Sequence, residues 1–154
     1  MENLPHRHLT TLTLMVDFPK IVPIGPVPSG LRGIAPVSGG QFDGERLRGT
    51  VRPGHDWFLT RADGTLVIDV RLTLDTADGA VLYLGYQGTM RGSAEAMGRF
   101  RKGEQLQPHD YQLHIAAKAE CGDPRYAWLN DAILVGIGEQ TPRGPVYRLF
   151  EIGA

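Results

Sequence analysis

The sequence predicts an all-β chain, either one antiparallel β-barrel or a strongly curved sandwich, with a single short helix. Three observations lead to this prediction. Segments that alternate apolar and polar residues recur at short spacing along the 154 residues, and this alternation is the side-chain period of a strand. Asp-Gly pairs at 63–64 and 78–79 separate such segments in the way that hairpin turns do. The 20 glycines and 11 prolines are spread along the chain, as in turn-rich β proteins.

The first half of the chain predicts five strands. The first is an alternating Thr, Leu and Val segment at 8–18. Four prolines between 19 and 28 then predict an irregular extended crossing, because each ring removes a backbone donor. A short strand at 30–40 then ends at Gly39-Gly40. The next strand, at 42–51, contains a glycine bulge, and the strands at 56–61 and 66–74 are the two arms of a hairpin.

The second half predicts one more central strand, the helix and three further strands. Residues 80–90 are apolar or aromatic on both faces, which is typical of a central strand. Ser93 can cap a helix over 93–100, and Gly103 can end it. The other elements are strands at 110–119, 133–138 and 145–152, and a helical turn at 126–130. A barrel of about eight strands is just wide enough to hold one small ligand.

Composition excludes several classes of function. The 154 residues predict a single domain over 1–154. Sixteen basic and 17 acidic residues, without a run of either sign, predict no nucleic-acid partner. No apolar run approaches the roughly 20 residues that span a bilayer, and the first residues lack a signal core, so we expect a cytoplasmic protein without a membrane partner. A single cysteine, Cys121, excludes an internal disulfide.

Several motifs together resemble the DUF3237 (UPF0311) family. The most specific are Asp56-Trp57 in its turn and the segment Arg-Tyr-Ala-Trp-Leu-Asn at 125–130. The resemblance extends from about residue 12 to residue 152 and includes Asp69, Arg71 and the glycines between 33 and 54. It implies a single antiparallel β-barrel of the lipocalin or allene-oxide-cyclase kind. The family carries no general activity, so the resemblance bears on fold rather than on function.

The strand at 66–74 supplies the first candidate site. Its even-numbered positions are apolar, whereas Asp69 and Arg71 share the opposite face, roughly 6–7 Å apart along the strand. One interpretation is an inward polar pair in which Arg71 grips a carboxylate, enolate or phenolate. The other is a solvent-facing ion pair worth about 0–1 kcal/mol. The family resemblance favours the pocket.

Asp56 and Tyr86 are the other candidate catalytic residues. Asp56 could act as a general base if burial raised its pKa, or it could hold its turn by accepting backbone hydrogen bonds. Tyr86 stands beside Gly85 and Gly88, which allow close backbone approach. Its hydroxyl is a candidate proton donor, although a packed tyrosine is an equally good interpretation.

The candidate ligand-binding residues are aromatic or polar. Trp57 and Trp128 could be cavity walls or core, and Asn130 could donate to an oxyanion or cap a segment. Arg32, His55 and His114 complete the set. A zinc site needs three or four convergent donors, and the chain lacks a phosphate loop or a nucleophile elbow. We therefore predict neither a metal nor a cofactor.

Two hypotheses for function follow. The first is a small-molecule-binding barrel that is a cofactor-independent isomerase, cyclase or dehydratase for an oxygenated metabolite. Arg71 would hold an anionic oxygen, and Asp69 or Asp56 would move a proton. The second is a non-catalytic ligand carrier or a structural homo-oligomer, a dimer or larger. Its basis is the apolar face of the 66–74 strand, which would need a cover if the lumen were polar.

Overall fold

The computed structural model of the chain describes residues 3–153. They form eleven strands, one α-helix and three short 3-10 helices. The strands are β1 (His6–Val16), β2 (Val22–Val27), β3 (Gly30–Asp43), β4 (Gly49–Val51), β5 (Gly54–Asp56), β6 (Leu59–Thr60), β7 (Leu66–Thr76), β8 (Val81–Gly92), β9 (Tyr111–Cys121), β10 (Leu134–Thr141) and β11 (Gly144–Ile152). Helix α1 is Ala94–Arg101, and the 3-10 helices are Phe18–Lys20, Pro108–Asp110 and Pro124–Asp131.

The strands close into an antiparallel barrel. Hydrogen bonding runs from β1 through β11, β10, β9 and β8 to β7. The three short strands β4, β5 and β6 then follow one another along a single position between β7 and β3. Pairing of β3 with β1 closes the circle. This gives eight positions around a closed barrel, which confirms the predicted fold class.

Two predicted breaks in the first half of the chain are wrong. Gly39 and Gly40 do not end a strand, because β3 continues as one extended segment that pairs with β1 on one side and β4 on the other. The proline-rich segment is not an irregular crossing either. It contains β2, which pairs with β3 with a register shift between Pro23 and Gly25. Prolines are tolerated there because β2 is an edge strand.

The helical predictions are confirmed. Ser93 caps α1 by accepting a hydrogen bond from the backbone N–H of Ala96 at 3.0 Å. The predicted turn at 126–130 lies within the 3-10 helix Pro124–Asp131, which packs over one end of the barrel. There Leu129 is fully buried, and the Tyr126 hydroxyl donates to the Asp78 carboxylate at 2.8 Å. No helix in the described range 3–153 is long and apolar enough to cross a membrane.

The barrel interior is apolar, and this decides the orientation of β7. Its even-numbered side chains point inward, and Ile68, Val70, Leu72 and Leu74 are buried in the core. The prediction that Asp69 and Arg71 line the pocket is wrong: they lie on the outer face, where Arg71 is exposed. Removal of apolar side chains from water is favourable, so the apolar face turns inward. It needs no second subunit as a cover, and subunit number stays a prediction.

The outward position of Arg71 has a measurable consequence. We expect Arg71→Ala to change the free energy of unfolding by no more than about 0.5 kcal/mol, because exposed side chains without special contacts contribute little. Val70→Ala, one position away and facing inward, should cost about 2 kcal/mol through lost burial and a cavity. Urea denaturation of both variants checks this. A larger loss for Arg71→Ala than for Val70→Ala would contradict the orientation of β7.

Candidate functional site

The end of the barrel opposite the 3-10 helix Pro124–Asp131 contains a cavity of about 1000 Å³. Its walls are mainly apolar side chains of the strands. Helix α1 and the segment after it lie beside the opening, with Met97 and Phe100 turned toward the cavity. Other wall residues are Leu14, Val37, Phe58, Ile68 and Val70. This volume is large enough for a metabolite of moderate size.

Strand register places two of the predicted catalytic residues on the same inner wall of this cavity, with Val70 between them. Asp56 on β5 pairs with Val70 on β7, and Val70 in turn pairs with Tyr86 on β8. On the other side of Asp56 stands Ala35 of β3. Because directly paired residues on adjacent strands point to the same face, this row brings Asp56 and Tyr86 to the same inner wall. Both residues line the cavity.

A second tyrosine meets Tyr86 inside the barrel. Tyr147 of β11 is 1% exposed, and its ring meets the Tyr86 ring edge to face with centroids 5.3 Å apart. Space for Tyr147 comes from Gly138, its pairing partner on β10. A Cβ atom on Gly138 would stand 2.7 Å from the Tyr147 ring, closer than carbon atoms pack. The glycine therefore allows the phenol to occupy this position.

The apolar surroundings change the acidity of Asp56. Removal of water from the carboxylate raises the pKa of Asp56 from 3.8 to about 7. The backbone N–H of Asp69 donates to Asp56 Oδ1 at 3.2 Å and lowers that pKa. The negative charge of the Asp69 side chain raises it, and the positive charge of Arg32 lowers it. Asp56 is thus divided between its acid and base forms near neutral pH.

The two phenols keep their protons. Burial raises the pKa of Tyr86 well above its ordinary value, and the neighbouring Tyr147 and the charge of Asp56 add to this. Burial also raises the pKa of Tyr147, again with a contribution from Asp56. Each hydroxyl therefore remains a hydrogen-bond donor at neutral pH. An ionisable carboxyl and two neutral O–H donors share the inner part of one apolar cavity.

Arg32 is the third predicted residue that lines the cavity. Its Nη1 donates to the backbone carbonyl of Trp57 at 2.6 Å, which ties β3 to the turn after Asp56. The neighbouring wall residue Phe58 packs its ring directly onto Gly33, where any Cβ would collide with it. The Asp-Trp turn therefore holds the backbone around the site, whereas the carboxylate of Asp56 faces inward.

Five predicted site residues lie on the outside of the barrel. Trp57 is 44% exposed, and its ring lies 5.7 Å from the ring of His55, which is also exposed. His114 points outward from β9. Asp69 and Arg71 share the outer face of β7, as described above. None of the five side chains lines the cavity, because each stands at a position whose alternation points it outward.

Trp128 and Asn130 lie at the opposite end of the barrel. Trp128 is half-buried beneath the Arg46 guanidinium, which stands 4.4 Å from the ring centroid. Asn130 accepts from the backbone N–H of Cys121 and donates to its carbonyl, both at 2.9 Å. This pair of bonds fastens the 3-10 helix Pro124–Asp131 to β9. Both residues thus hold the closed end of the barrel together.

Sequence reasoning missed Tyr147 and the cavity residues contributed by α1. A signal for Tyr147 existed in the sequence, because Tyr147 and Leu149 share one face of the strand predicted at 145–152. No comparable signal marks Met97 or Phe100, since their place at the opening depends on how α1 packs against the barrel. Within residues 3–153, no three His, Cys, Asp or Glu side chains converge as a metal site requires.

Comparison with known families shows which family this chain belongs to. The family model described as "protein of unknown function (DUF3237)" matches residues 5–152. The chain belongs to the DUF3237 family. A relative, the UPF0311 protein RPA1785 of Rhodopseudomonas palustris, is 28% identical over 131 residues, which is 84% of each chain. The resemblance inferred from the motifs is thereby confirmed.

Solved structures share the fold of this DUF3237 protein. The crystal structure of RPA1785 has a TM-score of 0.90 at 27% identity and covers 99% of both chains. A β-barrel-like protein of Acinetobacter baumannii has a TM-score of 0.85 at 29% identity, over 99% of this chain and 98% of that one. A protein of Penicillium herquei, described as an enzyme, has a TM-score of 0.73 over 99% and 96% of the two chains. At 17% identity, this last likeness shows the fold alone.

Proposed function

We propose that this DUF3237 protein binds a small oxygenated metabolite in its lumen and moves a proton on it without a cofactor, as an isomerase, cyclase or dehydratase does. The observation that carries the proposal is the position of Asp56. Its carboxyl faces an apolar cavity and stands on the same wall as Tyr86, with Tyr147 beside that tyrosine. An acid–base group with a pKa near neutrality, next to fixed O–H donors, suits proton transfer at carbon or oxygen.

The proposed step needs only these groups. The Asp56 carboxylate takes a proton from a carbon next to a substrate carbonyl, and the electron pair moves onto the carbonyl oxygen. The Tyr86 and Tyr147 hydroxyls donate hydrogen bonds to that oxygen as its negative charge develops. The neutral Asp56 carboxyl then returns the proton to another atom of the substrate. The number of protons is unchanged over the step, and neither the protein nor the substrate is oxidised or reduced.

The test is a proton-exchange assay on the wild-type protein. Enolisable ketones, β-dicarbonyl compounds and phenols are incubated in D2O, and NMR spectroscopy follows deuterium entry at the acidic carbon. Exchange above the buffer rate supports the proposal. Ligands that bind tightly but exchange no faster than in buffer would refute it and favour the carrier hypothesis. Because exchange reports every reversible deprotonation, the assay does not require the natural product to be known.

The tyrosine pair provides a separate prediction. We expect Tyr86→Phe and Tyr147→Phe each to lower the exchange rate on the order of 10²-fold, because a buried donor to a developing oxyanion is lost. Tyr83→Phe is the matched control, since Tyr83 is on the same strand but 38% exposed on the outer face. Steady-state rates at saturating ligand measure the effect. Equal losses for Tyr83→Phe and Tyr86→Phe would show that the inner hydroxyl has no special role.

A further inference from the structure

The opening of the cavity has a charge pattern that the proton-transfer chemistry does not require. Three cationic side chains line it, and we refer to them as the rim cluster: Arg32 of β3, and Arg101 and Lys102 at the end of α1. The carboxylates that line the cavity are Asp56 and Glu104. The Glu104 carboxylate already forms an ion pair with Arg99, with Glu104 Oε1 3.8 Å from Arg99 Nε. The opening therefore carries excess positive charge.

Ordinary structural roles account for only part of this cluster. Basic residues at the C-terminal end of a helix interact favourably with its dipole, and this interaction is enough to explain why residues 101 and 102 are Arg and Lys. Arg32 lies on a strand and has no helix dipole to complement. One of its N–H groups binds the Trp57 carbonyl, and a guanidinium has five N–H donors. Within residues 3–153, no member of the rim cluster forms an ion pair with a carboxylate.

Charge and depth together give a ligand only one favourable orientation. Arg101 and Lys102 stand at the end of α1 beside the opening, whereas Asp56 stands on the inner wall, where it pairs with Val70 of β7. An anionic group is attracted to the rim cluster and repelled by Asp56 at the inner end. Apolar walls between the two ends strengthen both effects, because they exclude water.

We propose that the lumen takes an amphipathic anion, with its apolar body in the barrel and its carboxylate, sulfonate or phosphate at the rim cluster. This rests on the proposed function and names the substrate class for the same cavity. The neutral oxygen group of the ligand then lies inward, at Asp56 and the tyrosines. The rim cluster selects the ligand and orients it, while Asp56 supplies the proton transfer.

A matched pair of fluorescent probes tests the proposal. 8-Anilinonaphthalene-1-sulfonate carries an anionic group, and N-phenyl-1-naphthylamine is the same aromatic skeleton without it. In the double variant Arg101→Gln/Lys102→Gln, we expect binding of the sulfonate to weaken about tenfold, because two charges near its anionic group are removed. Binding of the neutral probe should change less than about twofold. Fluorescence titration measures both dissociation constants.

Controls separate the rim cluster from general charge and from other sites. Arg71→Gln/Arg91→Gln removes the same net charge from the exposed outer wall and should leave both probes unaffected. Ala35→Phe fills the lumen and should remove binding of both probes, and the two probes should compete with each other. Circular dichroism verifies that each variant is folded.

Several results would overturn the inference. One is that the rim variant weakens the binding of both probes equally. Another is that the outer-wall variant weakens sulfonate binding as much as the rim variant does. A third is that the two probes do not compete with each other. Neutral-probe binding without a sulfonate effect would refute the anion site and leave the proposed function standing. Failure of both probes to bind the wild-type protein would refute the lumen as a ligand site, and the proposed function with it.

Discussion

Asp56→Asn is expected to lower the rate of substrate proton exchange by roughly 10²–10⁴-fold, the usual contribution of a general base. Asparagine has nearly the same shape and can still accept the hydrogen bond from the Asp69 backbone N–H, but it cannot take a proton. Ligand binding should therefore survive while exchange is lost. Comparing kcat with the dissociation constant for one ligand separates these two effects.

The pH dependence of kcat/KM tests whether the base that Asp56→Asn removes is the Asp56 carboxylate. In the wild-type protein, kcat/KM should rise with pH, reach half of its maximum near pH 7 and level off at higher pH, because the base form of Asp56 accumulates as pH passes its pKa. The residual rate of Asp56→Asn should lack this rise.

Asp69→Asn is the matched control for this profile. Its side chain lies on the outer face, so the plateau rate should stay within a few-fold of wild type. The midpoint should move slightly lower, because the Asp69 charge raises the pKa of Asp56. If Asp69→Asn lowered the exchange rate as much as Asp56→Asn, the assignment of the proton transfer to Asp56 would be contradicted.

The sequence predicted the barrel because the fold depends on local patterns that can be read along the chain. Alternation marks β7 and β9, and the Asp-Gly turns at 63–64 and 78–79 mark two reversals. The closing pair of β1 with β3 has no local signature, because it joins segments about 30 residues apart, such as Leu12 and Phe42. The Gly39-Gly40 pair misled the prediction of a turn, since glycine is also accommodated in extended backbone.

The site was only partly predictable, and β7 shows why. Sequence alternation identifies two faces but not which one points inward, and a one-residue change of register exchanges them. A polar lumen would have placed Asp69 and Arg71 inside; the apolar lumen places Val70 there and, through cross-strand pairing, Asp56 and Tyr86. Asp56 was found from its turn motif. Tyr147 was missed because its partner is 61 residues distant in the sequence, at Tyr86.

The same carboxyl should make the stability of the fold depend on pH. The pKa of Asp56 is about 7 in the folded protein, compared with 3.8 in the unfolded chain. Between these values the folded protein binds one more proton than the unfolded chain, so the free energy of unfolding falls as pH rises, by about 1.4 kcal/mol per pH unit. The contribution of Asp56 is complete below pH 3.8 and has been lost above about pH 7. The total loss is roughly 4 kcal/mol.

Asp56→Asn removes this dependence, because an amide does not titrate. Urea denaturation from pH 4 to pH 8 should show the variant close to wild type at pH 4 and more stable at pH 8. Asp123→Asn is a control of opposite sign when the urea denaturation is extended to pH 2: Arg125 holds the pKa of Asp123 at about 2, so its contribution is present above pH 3.8 and is lost as pH falls from there to about 2. If wild type and Asp56→Asn kept a constant difference across the range, the carboxyl would be ionised in the folded barrel at every pH tested. Asp56 could then accept a proton only as an ordinary, weakly basic aspartate.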